Sequence, residues 1–399
     1  MSTLCIGGKN DITVNVLEYA RTAFPDVRIV CIPDRCDDGI NRWQRSVIYY
    51  CKNNGIEIVN LEDVYEIEDL VFISTEFDRI IKPEKFKSSN LYNIHFSLLP
   101  RYKGMFTSVL PILNGDDKSG VTFHRIRAGI DTGEIIDQQS FEIRKDWNSL
   151  DLYKTLINNG SDVVIRNLRN VLSGEVYAEP QPKEGSTYFG KGYIDFSSIE
   201  LNPQATADQI RLQINAFAFR PYQLLKFKGI PLVGSKITDY VSIEKPGTVL
   251  SEDDVSIKIA SIDYDIILYK DVLERIIEAV KDHDQDKAKR LCVYEKILND
   301  QDSHGWTPLT VAVYNGDLDL ARWFVSRGAV DTVVNHNGTT LLMYAKDAGL
   351  NTGDWSVFRW LREEGADPHA VDYSGKAIID YLDEDKLNRI PEDLKAELK

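Results

Sequence analysis

Asn93-Ile-His95-Phe-Ser97 sets three polar side chains at alternate positions of an otherwise apolar stretch. In an extended strand such positions project to one face, and polar groups there need partners or solvent. An asparagine donates hydrogen bonds, and a histidine exchanges protons near neutral pH. The chain then turns through Leu98-Leu-Pro-Arg-Tyr-Lys-Gly104, which brings the cations of Arg101 and Lys103 nearby. One histidine at a strand end would ordinarily be a satisfied core residue. A second segment changes that reading, because Gly129-Ile-Asp-Thr-Gly133 brackets Asp131 between two glycines just after the strand-like Val121–Ile126. Such bracketing suits a tight backbone excursion that presents one carboxylate.

The elements that must position these groups follow from hydrophobic periodicity. Thr3–Gly8, Val27–Ile32, Glu57–Asn60 and Leu70–Ser74 read as strands. Between them lie helical patterns over Ile12–Ala23, capped by Asn10 or Asp11, and over Ile40–Asn53. Such alternation predicts parallel pairing in an open α/β sheet, whose ligands sit beyond the carboxyl ends of the strands. Gly7-Gly8-Lys9-Asn10 lacks the full glycine pattern and the Gly-Lys-Ser/Thr ending of phosphate loops, and reads as a structural turn. Leu91–His95, Gly120–Arg125 and Glu134–Ile143 read as further strands, and Thr107–Leu113 and Leu150–Leu172 as helices. Glu179–Ser186, rich in Pro, Gly and charge, reads as a linker. A helix near Ala207–Ala216 then precedes short strands at Gly247–Leu250, Val255–Ile259 and Ile262–Tyr269.

At 399 residues the chain is too long for one ordinary core, and two or three domains are expected. The amino terminus has no signal-peptide pattern and no stretch approaches a membrane span, so a cytoplasmic protein with no membrane association is expected. Five scattered cysteines, Cys5, Cys31, Cys36, Cys51 and Cys292, read as reduced thiols, and no metal is expected. A net charge of −15 repels phosphate backbones, which disfavours nucleic-acid partners.

NIHFSLLPRYKG and HRIRAGIDTGEII resemble the two signature segments of the formyltransferases that use 10-formyltetrahydrofolate, a family acting on methionyl-tRNA, glycinamide ribonucleotide or nucleotide sugars. The resemblance covers about Leu70 to Ile143. It implies a Rossmann-like α/β catalytic domain over residues 1–180, a β-rich sugar-nucleotide and dimerisation region over 181–270, and a homodimer. It assigns Asn93, His95 and Asp131 as catalytic. Asn93 and His95 would donate to the developing oxyanion, His95 would take the amine's proton, and Asp131 would orient and charge-stabilise the imidazole. Folate contacts are expected near Thr75, Phe77, Asp78, Ile80, Arg127 and Ile130, largely through backbone groups. Ser97 is expected to position ligand or structure rather than to act as a nucleophile. Many family members have proline where this chain has Phe96, which bears on loop shape.

The same resemblance leaves the acceptor to be chosen. The acidic surface and the absence of a basic carboxyl-terminal domain weaken a tRNA acceptor, and the length weakens a purine-pathway enzyme. Asn215-Ala-Phe-Ala-Phe-Arg-Pro-Tyr222 resembles a segment of the sugar formyltransferases. Phe219 and Tyr222 could cover a thymine ring, with Arg101, Lys103 or Arg220 at a diphosphate. The expected acceptor is a dTDP-amino-dideoxy sugar, dTDP-3-amino-3,6-dideoxyglucose in bacterial O-antigen synthesis, with a UDP-4-amino sugar as the alternative.

Asp302–Ala312 is matched by Asn335–Ala345, with Gly305 and Gly338 spaced by 33 residues, and a third copy begins at Asp372-Tyr-Ser-Gly375. This resembles ankyrin repeats, implying an all-α module over residues 271–399. The repeat's usual histidine is Thr310 or Met343 here, so the inter-repeat hydrogen bond it normally supplies is not expected from these positions. Trp306, in the β-turn finger, is expected to be a surface contact for a protein partner or a second ligand such as a nucleotide sugar. An ankyrin-type interaction protein with a vestigial enzyme domain is the competing class.

Overall fold

The computed structural model describes residues 2–220 and 222–398. Pro221, inside the Asn215–Tyr222 segment, lies outside the described residues. Two compact units form: Met1–Phe219 with Gln223–Lys228, and Arg220–Tyr222 with Gly229–Lys399. The first boundary therefore falls some way beyond the expected residue 180.

In the first unit, strands β1 (Thr3–Gly8), β2 (Arg28–Pro33), β3 (Glu57–Ile58), β4 (Leu70–Thr75), β5 (Leu91–His95), β6 (Lys118–Arg125) and β7 (Ile135–Glu142) form one sheet. Its order is β3-β2-β1-β4-β5-β6-β7. The pairs from β3 to β5 are parallel, as the alternation with helices predicts, and β6 and β7 join antiparallel. Every residue of β1 and β4 is buried, because helices and loops cover both faces of the parallel core. Helices α1 (Asn10–Ala23) and α3 (Ser149–Ser173) seal one face, where Leu4, Ile6, Tyr92 and Ile94 meet Leu17, Leu156 and Val164. On the opposite face Cys5, Val30, Phe72 and Leu91 pack with Ile81 and Phe86. Burying one such large side chain contributes about 1.5–3 kcal/mol. Tyr92 and Ile94 point toward the helices, so Asn93 and His95 share the other face with Leu91.

Helix α2 (Val47–Asn54) starts well after the expected Ile40. Local side chains capture the preceding backbone: Asn41 Oδ1 accepts from Ser46 N, and Asp37 Oδ2 accepts from Val47 N and Ile48 N. Asx side chains offer the chain this alternative to helix. The expected Thr107–Leu113 helix shortens to one turn at Leu110–Leu113, after Phe106 takes φ +66°. Helix α4 (Ala207–Phe217) is closed by a Thr206/Gln209 capping box and belongs to the first unit.

The second unit begins with a sheet in which β8 (Ile230–Ile237), β11 (Ile266–Lys270), β10 (Ser256–Ile259) and β9 (Val249–Glu252) neighbour one another in that order, all antiparallel. Helix pairs follow, among them Pro308–Tyr314 with Leu318–Ser326 and Leu341–Thr352 with Ser356–Glu363. The repeated glycines seat one finger on the next: a Cβ at Gly305 would lie 2.6 Å from the His336 ring, and one at Gly338 2.8 Å from Tyr373. One inter-repeat hydrogen bond comes from Gln301, whose Nε2 donates to Gly305 O in its own finger and to Val334 O in the next. Among the described residues no helix is long and apolar enough to cross a membrane.

Candidate active site

Register brings the predicted residues together. β4 pairs Ser74 with Asn93, and β6 pairs His124 with Asn93 and Thr122 with His95. Asp131 arrives from the loop joining β6 and β7, in the left-handed region at φ +52°. Non-glycine residues rarely adopt this conformation, so the surrounding structure must hold it. Gly133 is required there, since a Cβ would stand 1.7 Å from the Arg125 carbonyl oxygen.

His95 is buried. Its Nε2 lies 2.8 Å from the Tyr102 carbonyl oxygen and its Nδ1 3.5 Å from Asp131 Oδ2. A carbonyl can only accept, so the neutral ring carries its proton on Nε2 and keeps a lone pair on Nδ1. Burial pushes the His95 pKa below the usual histidine value, outweighing the opposite pull of Asp131 and the Tyr102 carbonyl; His124 and Lys103 add to the lowering. Asp131 behaves differently. Burial pushes its pKa up, but His95, His124 and the Gly104 N–H together bring it down to about 2. Gly104 N donates to its Oδ2 at 2.8 Å. At neutral pH the pair is therefore an uncharged imidazole facing a carboxylate, poised to accept a proton on Nδ1.

His124 belongs to the site although its sequence position alone gave no reason to choose it. Its Nδ1 donates to Arg125 O at 2.8 Å, leaving Nε2 to accept from Asn93 Nδ2 at 3.1 Å. Nε2 also lies 3.6 Å from Asp131 Oδ1. One Asn93 N–H is thus committed, while the other makes only a 3.5 Å approach to Asp131 Oδ1 and can turn to an incoming oxygen. No sequence signal marked it, because only the antiparallel pairing of β5 with β6 sets it across the ladder from Asn93.

The remaining expected residues divide. Ser97 is 1% exposed and its Oγ donates to Arg101 O, so it shapes the loop and does not meet a ligand. Thr75 is likewise buried, its Oγ1 paired with Thr13 Oγ1 at 2.8 Å, which removes its side chain from any folate contact. Arg101 is held by Asp116 at 2.9 Å and lies over the Tyr102 ring. Lys103 lines a cavity of about 450 Å³ with Thr132, Glu134 and Gln181. Asp78 pairs with Arg35 and Arg79, and Arg127 with Glu134. Phe77 rests against Phe72 beneath the Arg79 guanidinium. Ile80 and Ile130 present exposed apolar side chains beyond the strand ends, the chemistry a pterin or benzoyl ring requires.

Two expectations for the Asn215–Tyr222 segment are corrected. Phe219 is 6% exposed, its ring set against Trp43 and Tyr153 within the first unit, so it builds the wall and is no open platform for a base. Arg220 belongs to the second unit and is bound by Asp271 at 2.6 Å and Asp300 at 3.3 Å, which commits it to structure rather than to a diphosphate. Tyr222, also in the second unit, is exposed. Trp306 is half-buried rather than a protruding contact. Its indole N–H donates to Tyr344 OH at 2.8 Å, its ring stacks with Tyr314, and Lys281 Nζ stands 5.6 Å from its centroid.

The chain is similar to known proteins in both of its parts. Residues 56–168 match the formyl transferase family model and residues 276–372 the model of three ankyrin repeats. A methionyl-tRNA formyltransferase of Halorhodospira halophila is 33% identical over 140 residues, which cover 35% of this chain and 44% of the relative. The chain spans between 44% and 70% of the length of the curated relatives it matches. An N-formyltransferase from Helicobacter canadensis, solved with folinic acid and dTDP-3-aminofucose, is 40% identical. It aligns over 68% of this chain and 100% of its own with a TM-score of 0.63. WlaRD, a sugar 3N-formyl transferase solved with dTDP and 5-N-formyl-THF, is 39% identical over 68% of this chain and 98% of its own, also with a TM-score of 0.63. The family match and these solved relatives thus define a formyltransferase. Within that class, the chain belongs to the sugar N-formyltransferase family and carries ankyrin repeats in its second unit.

Proposed function

We propose that the protein transfers the formyl group of 10-formyltetrahydrofolate to the amine of a dTDP-linked amino-dideoxy sugar, specifically dTDP-3-amino-3,6-dideoxyglucose, for bacterial O-antigen synthesis. The observation that carries this reading is the buried His95, neutral and lone-paired on Nδ1, facing an ionised Asp131. The folate supplies the formyl group. As the amine nitrogen bonds to the formyl carbon, Asn93 turns its weakly held N–H to the oxygen that gains charge, an arrangement that strengthens only as the oxyanion forms. His95 Nδ1 takes the proton that the amine loses, and the imidazolium is held between Asp131 and the Tyr102 carbonyl. Returning that proton to the departing folate nitrogen resets the pair. The relatives that align over nearly their whole length, solved with dTDP or a dTDP-amino sugar, support the acceptor class.

The intact cluster disfavours a vestigial enzyme domain. In the second unit, the exposed Tyr240, Val241, Ile243, Ile262 and Tyr264 lie on loops flanking the sheet and support a homodimer through this region. The ankyrin repeats support a partner-binding or second-ligand role for this unit, with the exposed Tyr314 rather than the half-buried Trp306 offering the contact. Incubation with 10-formyltetrahydrofolate and a panel of dTDP- and UDP-amino sugars, read by mass spectrometry, tests the reading. Formylation of the dTDP-3-amino sugar is expected; exclusive use of a UDP-4-amino sugar would replace the acceptor.

A further inference from the structure

The Glu179–Ser186 stretch, with the residues just after it, is not a passive linker. Glu179 pairs antiparallel with Ile135, its N–H donating at 2.8 Å and its carbonyl accepting at 2.7 Å. Two residues on, Gln181 Nε2 donates to both Asp131 O and Gly133 O, each at 2.8 Å. Further on, Thr187 Oγ1 accepts from Tyr102 N at 2.7 Å, Thr187 O accepts from Lys103 N, and Phe189 O accepts from Met105 N. One strap therefore ties down both loops of the site. The Asp131 loop is tied at one end, and at the other the loop that offers the Tyr102 carbonyl to His95.

Gln181 is the critical tie. Asp131 is held in a left-handed conformation, and among the described residues its side chain is fixed by Gly104 N–H at 2.8 Å and by contacts of 3.5 Å or more. The two carbonyls that fix its backbone direction are satisfied by a single amide. The Oε1 of Gln181 is buried without a hydrogen-bond partner among the described residues, so only the donating half of the amide is used. Pro180 and Pro182 flank it and restrict both Glu179 and Gln181 to extended backbone, which lowers the entropy lost in presenting the amide. Packing does not do this work. Residues from Pro182 to Tyr188 are exposed, and the space beside Gln181 is the cavity of about 450 Å³ rather than core.

We infer that Gln181 is a positioning residue for formyl transfer: through the backbone of residues 131 and 133 it aims the Asp131 carboxylate at His95. The inference rests on the formyl-transfer reading. The test is steady-state kinetics on full-length Gln181→Met, Gln181→Lys, Asp131→Ala and the Gln181→Met/Asp131→Ala double variant, with thermal melts of each. Methionine keeps the length and loses the donor; lysine restores a donor. A misaimed carboxylate lowers kcat for Gln181→Met by about 30-fold with KM within about twofold. Gln181→Lys stays within about threefold of wild type. Gln181→Met adds nothing in the Asp131→Ala background, because it acts through that carboxylate. A wild-type rate for Gln181→Met, or a full multiplicative loss in the double variant, would overturn the inference while leaving formyl transfer standing. Should the methionine variant not fold, the lysine variant decides, a loss above about tenfold counting against the role. An inactive wild type would instead sink the function reading itself.

Discussion

Replacing Asp131 by asparagine is nearly isosteric and removes one charge from the centre of the site. An asparagine oxygen can still accept from Gly104 N–H, so the loop keeps its anchor. What is lost is the attraction between Asp131 and the imidazolium that His95 becomes. At 3.5 Å and an effective dielectric of about 20, that attraction is roughly 5 kcal/mol. The proton is only partly transferred at the transition state, so about half of it counts, or roughly 2–3 kcal/mol. At about 1.4 kcal/mol per decade this predicts a roughly 30- to 140-fold fall in kcat, with KM little changed. The same substitution has a stability signature. The folded pKa of Asp131, about 2, lies below its ordinary value of 3.8. The carboxylate therefore stabilises the fold fully above pH 3.8, and the contribution disappears as pH falls through about 2. The variant should be less stable than wild type by about 2 kcal/mol at neutral pH, with the gap closing toward pH 2. Product formation by mass spectrometry and denaturant melts across pH check both parts. A folded Asp131→Asn enzyme with kcat within about threefold of wild type would refute the charge argument.

Other outcomes follow from the same contacts. His124→Leu strips the half-buried Asn93 Nδ2 of its 3.1 Å acceptor, so kcat should fall about tenfold and stability by about 1 kcal/mol in paired kinetic and melting measurements. Gly133→Ala places a Cβ against the Arg125 carbonyl, displacing the loop that carries Asp131. A displacement of about 1 Å costs about 100-fold in kcat, measurable in the same assay. Arg220→Ala removes the guanidinium that bridges Asp271 and Asp300, lowering stability by about 3 kcal/mol while KM for the nucleotide sugar stays within about twofold. A tenfold rise in that KM with an unchanged melt would return Arg220 to the diphosphate.

Alternation of residue type made β5 and its polar face legible, because a strand's side chains have a period of two and Asn93 and His95 differ from their neighbours in polarity. The glycines around Asp131 were legible for a similar reason, since few residues tolerate so tight an excursion. The role of His124 was not, because strand register is a tertiary fact: only the antiparallel pairing of β5 with β6 sets it across from Asn93. Nor were the states of Thr75, Ser97, Phe219 and Arg220, each a residue type capable of binding but taken up by a neighbour remote in sequence or by a local turn. Glu179–Ser186 misled in the opposite direction. Proline, glycine and charge mark an extended exposed segment, and composition does not say that its one glutamine reaches back to the catalytic loop. The helix start at Val47 was obscured by Asp37 and Asn41, whose carboxylate and amide oxygens compete for the same backbone donors.

In the proposed reaction His95, left with its lone pair on Nδ1 by its contact with Tyr102 and steadied by Asp131, takes the proton of a dTDP-linked amino sugar. The most direct measurement is single-turnover formylation of dTDP-3-amino-3,6-dideoxyglucose by wild type and His95→Ala, with 10-formyltetrahydrofolate in excess and the sugar followed by mass spectrometry. Wild type should convert the sugar to its N-formyl product, and the folded His95→Ala protein should be slower by at least about 1,000-fold. Equal conversion by the two proteins would rule out His95 as the base, and no product from wild type with any dTDP-amino sugar would rule out the acceptor class.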